Sequence, residues 1–349
     1  MKKLFLMNLL LVLIVSCGNT DTNDDGSTAD PIAGVYISGS TSTDPDVRPI
    51  ISKDGTATVL DSELVALTSS VFVTDNEVYM SGFYQDISSD YRPCYWQGNV
   101  RTNLEATGST SGKANSIYVV SGLTTTSDTE AASVVYVAGY YNVSGVGNQA
   151  CYWRDGVLVD LGGGYAEAIF VSGSDVYVAG QDNSMKPVYW KNGVKTQLST
   201  NPGDAFDIKV SDGNVHVVGW EHDSDFFAVY WKNGAKSILS ATGSNALASS
   251  IYVDGADVYI AGTKDDYQKM VYWKNTSDNV TELDMGIYFP NDLSTCMYSY
   301  CLPKIMLNGG SIYIAGILTD GSDIAAGGYW KDGVLTSTED YFYSSIFVR

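Results

Sequence analysis

The stretch "AVYWKNGAKSILS", residues 228–240, recurs with small changes along the chain: "PVYWKNGVKTQLS" at 187–199, "ACYWRDGVLVDLG" at 150–162 and "MVYWKNTSDNVTEL" at 270–283. Each copy joins an aromatic-rich apolar run to a tight polar turn and a weaker apolar run. Asn-Gly and Asp-Gly supply the positive φ that a two-residue hairpin demands, so each copy reads as two antiparallel strands. A pattern repeated roughly every 40–50 residues points to propeller blades or solenoid units before any other architecture.

Two further anchors complete the unit. One is a five-residue strand ending in glycine, from "VYISG" at Gly39 through Gly82, Gly139, Gly180, Gly219 and Gly262 to "IYIAG" at Gly316, at intervals of 43, 57, 41, 39, 43 and 54 residues. The other precedes it: "SVFV" 70–73, "SIYV" 116–119, "AIFV" 168–171, "DIKV" 207–210, "SIYV" 250–253 and "KIML" 304–307. Val, Ile, Tyr and Trp favour strands, and no three- or four-residue helical period competes. Four short strands per unit is the composition of a propeller blade. The glycine strand is apolar on consecutive residues, as a strand covered on both faces must be. The repeated Tyr-Trp pair therefore reads as the wedge between blades, each large aromatic burying roughly 150–250 Å². The glycine reads as a point of close backbone approach.

The ends of the repeat array decide how it closes. It begins at a second strand, "AGVYISG" 33–39, and stops with an extra first strand, "SSIFV" 344–348. Each completes the other, which removes an exposed edge. The expectation is an all-β fold: a seven-bladed β-propeller of four-stranded antiparallel blades spanning 33–349, closed by the C-terminal strand completing the N-terminal blade. These repeats resemble bacterial extracellular HAF-type repeats and similar surface lipoprotein propellers over residues 33–349, with "KPVYW" and "FAVYW" standing where the His-Ala-Phe tripeptide would be.

The start of the chain carries an address. Lys2 and Lys3 precede an apolar run from Leu4 to Val15. A bilayer span needs roughly 20 apolar residues, so this run suits the core of an export signal. It ends in "LIVSC", which resembles a bacterial lipoprotein signal: residues 1–16 would be removed and Cys17 lipidated. Residues 17–32, "CGNTDTNDDGSTADPI", are too polar and acidic to fold and read as a flexible tether. The expected location is the bacterial cell envelope, at the outer membrane or cell surface, with the lipid as the only membrane contact.

Charge and cysteine content narrow the partners. The 349 residues carry 40 acidic and 20 basic side chains, a formal charge of −20 that becomes −22 once Lys2 and Lys3 are removed. Such a balance repels phosphate backbones, so nucleic acid is not an expected partner. Five cysteines do not make a disulfide scaffold. Cys296 and Cys301, in "STCMYSYCLP", are close enough to staple a loop. Cys94 and Cys151 hold equivalent places in successive repeats and read as small buried hydrophobes.

Function is expected where loops vary over a rigid scaffold. The turns between first and second strands, and between third and fourth, are short. The opposite connections vary, including "FYQDISSDYR" 83–92, "QDNSMK" 181–186 and "WEHDSDF" 220–226. Phe83, Tyr140, Gln181 and Trp220 directly follow the strand glycine, with Glu221 and Asp223 beside them. Aromatics among Asn, Asp and Gln suit a sugar ring, whose apolar face stacks while its hydroxyls bond. The expected function is that of a non-catalytic, monomeric scaffold binding a glycan or an envelope or secreted protein. A carbohydrate-active hydrolase or lyase, or a structural assembly module, are the alternatives. With only His216 and His222 present, no Ser-His-Asp or Cys-His system can be assigned. No cofactor is required. The acidic loops offer the hard oxygens that calcium takes, although none carries a complete calcium motif.

Overall fold

The structure is a computed structural model that describes residues 32–41, 47–60, 65–104, 106–122, 133–266, 269–275, 277–283, 302–319, 325–339 and 341–349. The signal segment, Cys17, the tether up to residue 31, Cys296 and Cys301 lie outside them, as do the loop acids Asp320 and Asp323. Among the described residues every regular element is a β-strand, and the 27 strands pair as five four-stranded antiparallel sheets and one seven-stranded sheet. The seven-stranded sheet is two four-stranded units sharing a strand, giving seven units that we call sheets. We number the sheets in chain order and name strands from the innermost outward.

Sheet 1 is built from both chain ends: Tyr341–Val348, then Val35–Thr41, Pro49–Lys53 and Thr56–Val59. Sheet 2 runs from Ala66–Val73 through Val78–Gln85 and Tyr91–Gln97 to Val100–Asn103. The innermost strands of sheets 3, 5, 6 and 7 are Ser109–Val120, Gly203–Ser211, Leu247–Asp254 and Lys304–Asn308. One sixteen-residue strand, Val157–Ser172, is both the outermost strand of sheet 3 and the innermost strand of sheet 4. It changes sheets at Gly162–Gly164, where Gly162 and Gly164 hold φ of +91° and +133°.

The sheets form a closed cycle. Each packs on the next, and sheet 7 packs on sheet 1 through the closing strand Tyr341–Val348. Seven apolar clusters sit one at each junction. All seven innermost strands line one central cavity. This is a β-propeller arrangement, with the C-terminal strand paired to the N-terminal blade as the chain ends imply.

The repeated residues now have assignments. Trp96, Trp153, Trp190, Trp231, Trp273 and Trp330 are at most 1% exposed and lie in the junction clusters. Their tyrosine neighbours point to the other sheet face and are mostly half-buried, so the wedge is chiefly tryptophan. The turn Asn or Asp holds φ near +50° and its side-chain oxygen accepts the backbone N–H that opens the second strand. Asn192 takes Val176, Asn233 takes Val215 and Asp332 takes Ile312, each at 2.8 Å. In sheets 1 to 6 the strand glycine sits opposite a bulge in the innermost strand. A Cβ at Gly82, Gly139, Gly180 or Gly262 would lie 2.0 Å from a backbone oxygen of that strand, well inside contact distance. Cys94 and Cys151 are buried thiols, as expected.

Sheet 1 departs from this plan. Ser52 stands where the other sheets place tryptophan: it pairs with Ile37 as Trp273 pairs with Ile260. In the innermost strand, Tyr343 stands where sheets 2 to 6 carry Thr68 or alanine, opposite the strand glycine. Both are 2% exposed. The Tyr343 ring packs toward sheet 7, where a Cβ on Gly327 would lie 2.6 Å from its Cγ. Elsewhere the corresponding contact is tryptophan on a residue such as Ala228. The large ring has moved from the third strand to the first.

Candidate functional site

Two neighbouring features follow from the innermost strands: a rim on the variable-loop side and a channel below it. Strand register fixes the rim. Lys113 lies opposite Tyr140, Tyr165 opposite Gln181, Asp204 opposite Trp220, and Leu67 opposite Phe83. Contacts join these pairs across four consecutive sheets. The Lys113 ammonium sits 4.3 Å from the Phe83 ring centre and 4.8 Å from that of Tyr91. Tyr140 and Tyr165 meet edge to face at 4.9 Å. The Gln181 amide donates to the Gly203 carbonyl at 2.8 Å, and Trp220 leans on Phe226 at 5.1 Å.

Of the six residues expected to bind, three stay available on this arc: Tyr140, Gln181 and Trp220 are half-buried. Phe83 is only 3% exposed, beneath Lys113 and Tyr91, and serves as a floor. Glu221, 2% exposed, is turned inward and tied to Lys236 at 2.5 Å. An odd-even step explains this: Trp220 and Glu221 are adjacent in one strand, so their side chains leave opposite faces. Asp223 is exposed at a loop tip away from this register. His216 is buried against the Tyr230 hydroxyl at 2.7 Å, and burial holds its imidazole pKa below the ordinary value.

The loop carboxylates serve turns. Asp86 accepts the Ser88 and Asp90 N–H groups and pairs with Arg92 at 2.8 Å. Asp182 accepts Ser184 and Lys186 in the same way and pairs with Lys195 at 2.9 Å. Among the described residues no group of three or more His, Cys, Asp and Glu side chains is placed to hold a metal ion.

Below the rim, alternate residues of each innermost strand face the central cavity of about 360 Å³. One tier is polar: Ser70, Ser116, Asp207, Ser250, Lys304 and Ser345, with Ala168 the exception. The next is largely apolar: Phe72, Tyr118, Phe170, Tyr252, Met306 and Phe347, with Lys209 the exception. The polar tier also latches neighbouring sheets. Ser116 accepts the Ile169 N–H, Asp207 accepts that of Ile251 and Ser250 accepts that of Ile305.

Between rim and channel sits an ionisable set that the sequence motifs did not single out. Glu167 occupies the bulge of its strand, and the Asn115 amide donates to it at 3.1 Å. Burial, reinforced by the Glu167 charge, pushes the Asp204 carboxyl well above its ordinary pKa. Burial lowers the pKa of Lys113 and Lys304, and Glu167 opposes the shift in both. A carboxyl whose folded-state pKa is raised favours folding less once the unfolded chain can ionise. Above the ordinary aspartate value of about 3.9, the native state holds the extra proton, so stability falls as pH rises toward the folded-state pKa. Asp204→Asn should therefore raise the melting temperature at pH 7. The gain should vanish below about pH 3.9, where both states are protonated. An unchanged or lower melting temperature at pH 7 would refute the strain assigned to this carboxyl.

The missed residues did leave a trace. "KANSIYV", "YAEAIFV" and "DAFDIKV" keep the first-strand anchor constant while the residues just before it change from repeat to repeat. Lys113, Glu167 and Asp204 all lie there.

No family model matches the chain, and no curated protein matches it, so the resemblance to HAF-type repeats has no family match behind it. Solved structures do resemble it at a distance. A fungal lectin described as a six-bladed β-propeller with a fucose recognition mode, from Aleuria aurantia, aligns with a TM-score of 0.44 and 12% identity, covering 79% of this chain and 95% of that one. Hydrazine synthase of Kuenenia stuttgartiensis gives 0.43 at 9% identity, covering 90% and 46%. Trypanosoma rangeli sialidase gives 0.38 at 11%, covering 72% and 54%. Similarity at this level assigns neither ligand nor reaction.

Proposed function

We propose that the protein is a seven-bladed propeller that binds a glycan at the variable-loop mouth and acts as a binding scaffold rather than an enzyme. The observation behind this reading is the continuous arc of half-buried Tyr140, Tyr165, Gln181 and Trp220 across sheets 3 to 5. Two tyrosines and a tryptophan offer faces and edges for sugar C–H groups, while Gln181, Asn115 and Glu167 offer donors and acceptors for hydroxyls. Glycan-array screening of the purified protein followed by calorimetry tests it. Trp220→Ala should weaken the strongest array ligand about tenfold, which is about 1.4 kcal/mol. Absence of any array ligand, or affinity unmoved by that substitution, would sink the reading.

The same proposal places the protein at the bacterial envelope through lipidated Cys17, a reading that rests on "LIVSC". Mass spectrometry of the mature N-terminal peptide tests it, with acyl mass on Cys17 expected and an unmodified cysteine decisive against it. One observation favours a hydrolase as the second reading. Asp204 with a raised pKa beside ionisable Glu167 supplies the acid and base that glycosidic cleavage divides between two carboxyls. Release of reducing sugar from an array ligand, abolished by Asp204→Asn, would favour that alternative.

A further inference from the structure

The central channel shares Asn115 and Glu167 with the rim and carries further chemistry that the rim arc does not use. Its wall is partly a row of packed rings: Phe347 to Phe72 at 5.2 Å, Phe72 to Tyr118 at 4.9 Å and Tyr118 to Phe170 at 5.0 Å. Across the cavity are Tyr252 and Lys304. A volume of about 360 Å³ falls within the range that holds small ligands, roughly 300–1,000 Å³.

The polar groups of this cavity divide unequally. Asp207, its innermost carboxylate, is spent. One oxygen accepts the Ile208 N–H and the Lys209 ammonium, and the other accepts the Ile251 N–H and the Ser250 hydroxyl. Ser116 and Ser250 are committed to latching the sheets. The donors are less occupied. Lys304 makes no ion pair within 4 Å among the described residues, and its ammonium reaches only the Ser249 carbonyl, at 3.4 Å. The hydroxyls of Tyr118 and Tyr252 bond to no protein group among the described residues. Donors at Lys304, Tyr118 and Tyr252 are thus left over, while of the two carboxylates lining the cavity Asp207 is spent and Glu167 accepts from the Asn115 amide. Lys304 is half-buried, with the Asp207 and Glu167 charges nearby but neither carboxylate in direct contact, so a carboxylate ligand could take the ion-pair position that no protein group fills.

We propose that the central channel is a second binding site, distinct from the rim, for a small carboxylate on a six-membered ring, the carboxylate held by Lys304 and the tyrosine hydroxyls and the ring face packed on Phe72, Phe170 and Phe347. A uronic acid and an aromatic acid share this chemistry. Nucleotides and polyphosphates do not suit it, because one weakly paired lysine meets one charge and the protein as a whole is strongly acidic.

Titration calorimetry of the purified protein with glucuronate, benzoate and glucose tests the proposal. Glucuronate or benzoate is expected to bind with measurable heat and glucose at least tenfold more weakly. Whichever acid binds more tightly identifies the source of the carboxylate. Lys304→Met should weaken that acid at least tenfold while preserving a cooperative thermal transition. Tyr118→Phe, which keeps the ring and removes only the hydroxyl, should weaken it about threefold to tenfold and guards against a folding defect in the lysine variant. Trp220→Ala should leave the affinity unchanged. Binding of neither acid, glucose binding as tightly as the acids, full affinity in Lys304→Met, or loss of acid binding in Trp220→Ala would each overturn the proposal. Failure of the glycan reading at the rim would leave these measurements untouched.

Discussion

Deleting Tyr341–Arg349 is expected to abolish cooperative folding altogether. These residues supply the innermost strand of sheet 1, and with it Tyr343, Ile346 and Val348, all at most 6% exposed at the junction of sheets 7 and 1. Truncating one buried aliphatic or aromatic side chain costs about 2–5 kcal/mol, so losing all three approaches the whole stability of a typical domain, about 5–15 kcal/mol. The loss also uncovers the edge of Val35–Thr41 and breaks the paired backbone bonds between Gly34 and Arg349, both 3.1 Å. The remaining six sheets would have two open ends instead of a closed cycle. Loss of the calorimetric transition and binding of a hydrophobic dye are the expected readouts. A truncated chain melting cooperatively within a few degrees of the intact protein would refute closure as the stabilising device.

The second large effect concerns the exchanged ring. Tyr343→Ala alone should destabilise by about 3–5 kcal/mol, as large aromatic truncations do. Ser52→Trp alone should also destabilise, by about 1–3 kcal/mol, because Tyr343 already fills the space. Together they rebuild the arrangement of sheets 2 to 6, in which the third strand carries tryptophan and the first carries a small residue opposite the strand glycine. Their combined effect should fall short of the sum by at least about 2 kcal/mol, the coupling expected of residues sharing one packing site. Denaturant unfolding of the four proteins measures it. Additive losses would mean that Tyr343 is not a substitute for the missing tryptophan.

The legibility of this protein was uneven for physical reasons. Strand order, turn positions and closure could be read because they rest on local chemistry repeated many times: Asn-Gly turns, glycines facing a bulge, a leftover strand matching a headless unit. The tryptophan represented by Trp231 and the glycine represented by Gly219 each repeat one role in six of the seven sheets. The candidate site follows no such repetition. Glu167, Asp204 and Lys304 lie on three different sheets and meet only because the cycle brings their innermost strands around one axis. Strand parity also misled, since Glu221 follows Trp220 in sequence yet leaves the opposite face and is neutralised by Lys236. The channel tiers were hidden inside "SIYV" itself. Its serine and tyrosine face the cavity while its isoleucine and valine enter the junction, and only the coordinates of seven such strands show which side is which.

That sheet 1 joins both chain ends has a consequence for biosynthesis. Val35–Thr41 leaves the ribosome long before its inner neighbour, Tyr341–Val348. At roughly 5–20 residues per second, the about 300 residues between them take on the order of 15–60 s to translate. Until then Val35–Thr41, a strand mostly buried in the finished fold, lacks its inner partner, and the cycle cannot close before Tyr341–Val348 has emerged.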